Sequence, residues 1–180
     1  MAASFHSVER AVITRLRPLH HVASPSRTKH FYHYNWKDLK YQLESGYRRD
    51  ADLGKILPYA IYKIHKEDVD TICPDLAAYS IAVNTKGFEK LDYDQFFVPE
   101  SWKARSSRYE VSGSRFLVAE KFGYCGATVP VYLAHESKNR DHFYTTSLFE
   151  YWKRTGNIHP APVFYIWECA PKYARCYPRI

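Results

Sequence analysis

Apolar and polar residues alternate with a period of two in several short segments of the chain, and this pattern predicts a strand-rich fold. Aromatic residues make up 17% of the chain and fit a half-buried pleated surface, which also favours strands. The predicted strands span 12–16, 30–34, 59–65, 78–83, 95–98, 115–121, 129–135, 142–146 and 163–168. Loops are predicted at 20–29 and 47–58, turns at 84–87 and 112–114, and a loose arm at 1–11.

Helices are predicted directly after three of these strands. Asn35 is expected to cap a helix over 36–45. Ser147 opens the capping-box pattern S-x-x-E that precedes a helix over 148–155. A shorter helix is expected over 101–105. Each helix therefore begins at a corner where a strand has just ended.

One strand motif occurs three times, and each copy leads into such a corner. The copies read Asp141-His142-Phe143-Tyr144-Thr145-Thr146, Lys29-His30-Phe31-Tyr32 and, in degenerate form, Asp94-Gln95-Phe96-Phe97. The capping positions Asn35, Glu100 and Ser147 each follow His30, Gln95 or His142 by five residues. This self-similarity predicts three repeats of one unit, each made of a strand, a hairpin, a second strand, a helix and a closing strand.

The repeats predict an α+β, strand-rich fold in a single compact domain over 1–180, with approximate threefold pseudo-symmetry around a shared core. Repeat 1 covers about 12–65, an acidic connector 66–77, repeat 2 about 78–121, repeat 3 about 129–168 and a tail 169–180. In this arrangement Phe31, Phe96 and Phe143 are expected at equivalent buried positions.

The third copy resembles a repeat family of unknown function. The segment 141–146, preceded by Val131-Tyr132-Leu133, is similar to that family's "V-Y-R-x-Y-N … D-H-F-Y-T-T" units. The resemblance covers most of 12–168 as three copies. Members of the family are often appended to secreted bacterial and fungal hydrolases, so the resemblance implies an accessory role in binding carbohydrates or surfaces.

The formal net charge of +7 is unevenly distributed along the chain. Residues 1–49 carry nine Lys and Arg against three acids, 101–180 carry twelve against six, and 50–100 carry five against ten. Basic segments can attract nucleic acids or anionic surfaces. No run of Lys and Arg is longer than two, which favours a solvated basic exterior.

The sequence predicts a cytoplasmic protein. Its first residues lack the apolar core of a signal peptide, and no segment approaches the roughly 18 apolar residues of a membrane span. The cysteines at 73, 125, 169 and 176 form no C-x-x-C pair. Without a secretory signal, they are expected to be free thiols.

No catalytic residue, cofactor or metal ion is predicted. The sequence contains no G-x-S-x-G motif and no phosphate-binding glycine loop. His30 and His33 lie on opposite faces of a predicted strand, so they are not expected to share a metal ion. The protein is therefore expected to be non-enzymatic.

The remaining candidates are aromatic and polar residues at the repeat corners. Exposed rings beside His, Asp and Asn suit a sugar, whereas the same rings beside Lys and Arg suit stacked bases. The predicted function is a lectin-like module that binds a glycan or other small polar ligand; the alternative is a protein- or nucleic-acid-binding adaptor with no membrane role. The candidate ligand-binding residues are Asn139, Arg140, Asp141, His142, Trp152, His30 and Tyr32.

The motif histidines also have a structural interpretation. His30 and His142 could bond a neighbouring backbone group at the corner, and Gln95 at the equivalent position could do the same. If any repeat binds a ligand, the third is expected to bind best because its motif is the most complete.

Overall fold

The structure is a computed structural model that describes residues 12–26, 28–84, 94–102, 109–138 and 140–169. Within these residues it is a mixed α+β fold rich in strands. The strands are β1 (Arg17–Ala23), β2 (His30–His33), β3 (Arg48–Arg49), β4 (Gly54–Pro58), β5 (Ala77–Asn84), β6 (Gln95–Pro99), β7 (Tyr109–Val118), β8 (Val129–Glu136), β9 (Asp141–Thr145) and β10 (Phe164–Ile166). The helices are α1 (Trp36–Glu44), α2 (Tyr59–Ile64), α3 (Lys66–Ile72) and α4 (Leu148–Thr155), with a 3-10 turn at Tyr124–Gly126. None of the helices described has the length and apolar character needed to cross a membrane.

Three sets of antiparallel strands have the same internal order. We call β2, β6 and β9 the motif strands because they carry the recurring motif. The strands that precede them (β1, β5 and β8) are the opening strands, and β4, β7 and β10 are the closing strands. Each opening strand pairs with its motif strand on one side and with its closing strand on the other.

The closing strands connect the three sets. β4 pairs with β7 and joins two sets into one larger sheet. Single bridges from Lys55 to Trp167 and from Ala119 to Tyr165 connect the third set to the other two. The first bridge needs a glycine beside it, because a Cβ atom on Gly54 would lie 2.8 Å from the Trp167 carbonyl oxygen.

The main hydrophobic core lies where the three sets meet. Its buried residues include Leu19, Tyr32, Ile56, Tyr79, Ile81, Phe97, Phe116, Val118, Val131, Tyr144, Phe164 and Ile166. The motif strands contribute one ring each: the Tyr32, Phe97 and Tyr144 ring centres lie 4.3–5.3 Å apart. Packed aromatic rings of this kind contribute strongly to core stability.

A second core cluster contains a disulfide bond. Cys73, just after α3, is bonded to Cys125 in the 3-10 turn, and their Cα atoms lie 5.9 Å apart. Cys169 is also disulfide-bonded. The prediction of free thiols is therefore wrong, and no local motif signalled the first pair because its members are 52 residues apart. Disulfides persist mainly in oxidising compartments, so the expected cytoplasmic location loses the support of free thiols.

The first strand begins later than predicted. The backbone nitrogen of Arg15 donates to the Val12 carbonyl oxygen at 2.9 Å, so the start of 12–16 is a turn. The strand is β1, and His20 and His21, which were predicted in an exposed loop, are buried within it. Val12 and Leu16 are both buried and four residues apart, a spacing that fits a helical turn as well as a strand.

The closing strand of the first set also differs from the prediction. It is β4, within the predicted loop 47–58, whereas most of 59–65 forms α2. Ile56 and Leu57 of β4 are fully buried, while α2 buries no residue. Pro58 has φ −60° at the start of α2, a position in which proline favours a helix start. The predicted turn at 112–114 is likewise wrong, because β7 runs through it.

The two capped helices are confirmed. The Asn35 side chain accepts a hydrogen bond from the Asp38 backbone nitrogen at 2.8 Å, and Ser147 accepts one from that of Glu150 at 3.3 Å. Part of the acidic connector forms α3. The predicted arm 1–11, most of the segments 84–87 and 101–105, and the tail from 170 onward lie outside the described residues.

Candidate functional site

The three motif strands contact one another in every pairwise combination. Three hydrogen bonds connect them in a closed cycle. The backbone nitrogen of Tyr32 donates to Gln95 Oε1 at 2.8 Å, that of Phe97 to the Tyr144 hydroxyl at 2.8 Å, and that of Tyr144 to the Tyr32 hydroxyl at 2.7 Å. Because Phe97 has no hydroxyl group, Gln95 supplies the acceptor on β6. Each bond satisfies a buried backbone N–H that would otherwise destabilise the fold.

The two tyrosine hydroxyl groups in this cycle remain protonated. Burial is the largest influence on both and raises the pKa of Tyr32 and of Tyr144 well above the ordinary value. The Tyr32 hydroxyl also donates to the Tyr144 carbonyl oxygen at 3.3 Å. The candidate site residue Tyr32 is therefore engaged in structural contacts.

Two aspartates bind histidines on neighbouring motif strands with the same geometry. Asp141 accepts hydrogen bonds from the His30 backbone nitrogen at 3.1 Å and from its Nδ1 at 2.5 Å. Asp94 accepts the corresponding bonds from His142 at 3.1 and 2.7 Å. Burial alone raises the pKa of Asp94, but hydrogen bonds from His142 and Tyr109 outweigh it, so the net pKa is below the ordinary value. Each aspartate–histidine pair therefore connects two neighbouring copies of the motif.

The phenylalanine two residues after each aspartate packs on the same histidine. The ring centre of Phe143 lies 4.8 Å from that of His30, and the ring centre of Phe96 lies 4.5 Å from that of His142. Phe31 and Phe143 are buried as expected, whereas Phe96 is only partly buried. In the remaining copy, Lys29 occupies the aspartate position and donates to the Arg140 carbonyl oxygen at 3.2 Å.

Exposure separates the two aspartate–histidine pairs. The His30 side chain is 2% exposed, and its Nε2 lies 3.4 Å from the Arg154 guanidinium group. The same guanidinium group lies 3.8 Å from the centre of the Phe143 ring and forms an ion pair with Glu136. The His142 side chain is 18% exposed. His30 is therefore enclosed by protein, while His142 lies at the surface.

The predicted site residues are not all available to a ligand. Their role in ligand binding stays a prediction, but Asp141, His30 and Tyr32 are buried and lie at no exposed surface. The reason is physical: their polar atoms connect the motif strands. Arg140 is exposed and adopts a left-handed backbone conformation with φ 48°. Asn139 lies outside the described residues.

Trp152 is exposed on α4 together with a second ring that was missing from the sequence prediction. The side chains of Trp152 and Phe149 are 46% and 66% exposed, and their ring centres lie 5.8 Å apart. Leu148, next to Phe149, is exposed as well. The i, i+3 spacing on a helix already places Phe149 and Trp152 side by side and could have identified the pair. Clustered exposed apolar side chains mark binding surfaces.

Two exposed aromatic side chains, five residues apart, also occur on α1. Trp36 and Tyr41 are 65% and 68% exposed. In the remaining copy, Trp102 is partly exposed and lies edge-on to Phe96 with ring centres 5.8 Å apart. Each motif strand is therefore followed, within two residues of its capping position, by an aromatic side chain at the surface. The glycan-binding hypothesis expects exposed rings at equivalent points of the repeats, beside Asp or Asn rather than Lys.

Charged groups near these rings are partly neutralised. Lys40 on α1 pairs with Glu44 at 3.6 Å, and Arg154 on α4 pairs with Glu136. Lys37 and Lys153 are exposed neighbours of the rings. The rings therefore do not lie within a dense cationic cluster.

His20 on β1 forms a further buried polar contact with Asp52. Asp52 accepts hydrogen bonds from His20 Nδ1 at 2.7 Å and from Arg49 at 2.8 Å. His33, opposite His20 on β2, has its pKa lowered to about 4, chiefly by burial.

Within the described part of the chain, no group of three or more His, Cys, Asp or Glu residues is arranged to hold a metal ion.

Comparison of the chain with protein-family models, curated proteins and solved structures returned no match. Membership in the repeat family with D-H-F-Y-T-T motifs therefore stays a prediction.

Proposed function

We propose that the protein is a non-enzymatic, lectin-like module that binds glycans on the exposed aromatic rings of its corner helices. The observation that carries the proposal is the pair formed by Phe149 and Trp152. Two exposed rings with centres 5.8 Å apart form an apolar platform on which a sugar ring can stack. Exposed rings of this size are costly to leave in water unless a ligand covers them.

The buried contacts beneath the corners support this role. The hydrogen-bond cycle and the two aspartate–histidine pairs fix the motif strands, and α1 and α4 begin directly after two of these strands. Ser147 caps α4 and so fixes the start of the helix that carries both rings. A platform held in place in this way loses little conformational entropy when it binds a ligand.

The repeats are arranged with approximate threefold pseudo-symmetry about the motif strands. Support comes from the strand order shared by the three sets, the pairwise contacts of the motif strands and the closed direction of the hydrogen-bond cycle. The arrangement gives up to three related corner sites, with the aromatic pair on α4 the most complete.

Glycans fit these corners better than nucleic acids do. Nucleic-acid affinity depends mainly on unpaired cations close to the phosphates. Around the rings, Lys40 and Arg154 are paired with acids, which leaves Lys37 and Lys153 as the exposed cations next to Trp36 and Trp152 in sequence. Glu150, between Phe149 and Trp152 in sequence, is exposed and adds a negative charge that disfavours a polyanion. A neutral, hydroxyl-rich ligand meets neither obstacle.

A glycan-array screen tests the proposal, followed by titration of the best ligand into wild type and variants. We expect the Phe149→Ala/Trp152→Ala double variant to lose at least about tenfold in affinity, since losing one stacked ring costs on the order of 1–1.5 kcal/mol. Phe122→Ala is the matched control, because Phe122 is 69% exposed but lies on no corner helix.

Two results would overturn the proposal. In the first, the wild-type protein binds no glycan on the array but binds a single-stranded oligonucleotide, and this affinity falls steeply as the salt concentration rises. Such a result would identify the adaptor alternative. The other is glycan binding that survives in the double variant.

A further inference from the structure

We propose that His135 and His142 together bind a divalent transition-metal ion, with Asp94 as the outer partner of His142. The inference rests on the geometry of these three side chains and is independent of the glycan proposal. It goes beyond the sequence prediction, which contained no metal site.

The two histidines lie on the same face of one antiparallel ladder. His135 on β8 and His142 on β9 are directly opposite partners, and such partners project to the same side of the sheet. Their ring centres lie 4.6 Å apart. Two imidazoles that share one ion at the usual metal–nitrogen distance of about 2.0–2.1 Å have ring centres roughly 4.5–5 Å apart. The observed separation falls within this range.

Asp94 prepares His142 for this role. Its carboxylate accepts a hydrogen bond from His142 Nδ1 at 2.7 Å, and in the neutral ring with its proton on Nδ1 the lone pair is on Nε2. A carboxylate bonded to the remote nitrogen of a metal-binding histidine is a common outer partner, which orients the ring and increases its basicity. Phe96 stacks on the same ring with centres 4.5 Å apart and restricts its rotation.

A metal ion from solvent must also be able to reach the two histidines, and His135 and His142 meet this condition. The His142 side chain is 18% exposed, and His135 is exposed. The other aspartate–histidine pair fails on this point, because His30 is buried and its Nε2 faces Arg154. The difference selects His142 over His30 as a metal ligand.

The chemistry of the ligands selects the ion. Two imidazole nitrogens suit Zn²⁺, Cu²⁺ and Ni²⁺ and do not suit Mg²⁺ or Ca²⁺, which prefer oxygen ligands. Since no third histidine, cysteine or acid joins the pair among the described residues, water or an added ligand completes the coordination. Cu²⁺ is expected to bind more tightly than Zn²⁺ or Ni²⁺, in accordance with the usual order of stability.

Calorimetric titration of the full chain with Zn²⁺ and with Cu²⁺ tests the inference, with electron paramagnetic resonance of the copper form as an independent readout. We expect tight binding of one ion per chain at this site. His135→Gln is the main variant, because His135 is exposed. It should weaken binding at least tenfold and reduce the number of nitrogen ligands seen by copper from two to one.

His142→Gln should weaken binding to the same degree, and His159→Gln should leave it unchanged, since His159 is an exposed histidine that belongs to neither β8 nor β9. If His142→Gln fails to fold, His135→Gln alone decides the question. Equal affinity and stoichiometry in wild type and His135→Gln would overturn the inference. So would a wild-type protein that binds neither ion at millimolar concentration. The Phe149→Ala/Trp152→Ala variant should retain metal binding, which separates this test from the glycan test.

Discussion

The Tyr32 hydroxyl group accepts a hydrogen bond from the backbone nitrogen of Tyr144 at 2.7 Å, which connects two strands that are 112 residues apart in sequence. The corresponding acceptor on β6 is the side chain of Gln95, which stands two residues before Phe97. One copy of the motif thus uses a different residue at a different position to bind its neighbour. The contact is preserved in kind although the sequence motif is not.

Tyr32→Phe should destabilise the protein by about 1–3 kcal/mol, because the variant keeps the ring and leaves the buried Tyr144 N–H without its acceptor. Urea denaturation monitored by circular dichroism measures the change. Tyr41→Phe removes a hydroxyl group from an exposed tyrosine and should change stability by less than about 0.5 kcal/mol. Equal stabilities of wild type and Tyr32→Phe would mean that the hydrogen bond makes no net contribution.

Replacement of Ser147 by alanine should cost about 1 kcal/mol, because the side chain accepts a hydrogen bond from the Glu150 backbone nitrogen at the start of α4. Phe143→Ala, which deletes a buried ring, should cost about 3–5 kcal/mol. Denaturant melts of both variants give the comparison. Small and equal losses would show that this corner does not organise the fold.

The local parts of the fold could be predicted from the sequence. Asn35 and Ser147 cap their helices as expected, because a cap depends on residues three positions apart. The recurring motif likewise predicted all three motif strands. The closing strand of the first set was missed, since Gly54 and Pro58 have the composition of a loop and the approach of Ile166 and Trp167 explains the glycine.

The candidate site was less predictable because its contacts join distant parts of the chain. Asp141 and His30 have the residue types of a ligand site, yet they bind each other across 111 residues and are buried. Sequence alone gives the same interpretation for His30 and His142, whereas in the structure Arg154 packs against the first. The Cys73–Cys125 bond was hidden for the same reason.

Acid should weaken the protein in part through Asp52. Burial raises the pKa of this carboxyl group, but hydrogen bonds and charges from His20 and Arg49 outweigh it, so the folded pKa is below the ordinary value. Since the folded pKa is lower than the unfolded one, the stabilisation is complete above the unfolded value of about 3.9 and is lost as the pH falls through the folded pKa.

Asp52→Asn tests this prediction. The variant should be less stable than wild type by about 1–3 kcal/mol at pH 7, because His20 and Arg49 lose a charged acceptor. The difference should shrink as the pH falls from 5 towards 3. Melting temperatures over this range measure it, with Asp50→Asn as a control at a more exposed acid. A constant difference across the range would exclude the proposed linkage.

Loss of the Cys73–Cys125 bond should also destabilise the protein. The bond closes a loop across 52 residues, and cross-linking a loop of this length restricts the unfolded chain by about 4 kcal/mol in the chain-entropy account. The bond also holds the 3-10 turn, where Trp167 Nε1 donates to the Cys125 carbonyl oxygen at 2.7 Å. A Cys73→Ala/Cys125→Ala variant should therefore unfold at a lower guanidinium concentration, with a loss of about 2–4 kcal/mol.

Mass spectrometry of the native protein after alkylation of free thiols provides the check on the bond itself. Quantitative alkylation of Cys73 and Cys125 without reduction would contradict the pairing, and a double variant as stable as wild type would contradict its energetic role.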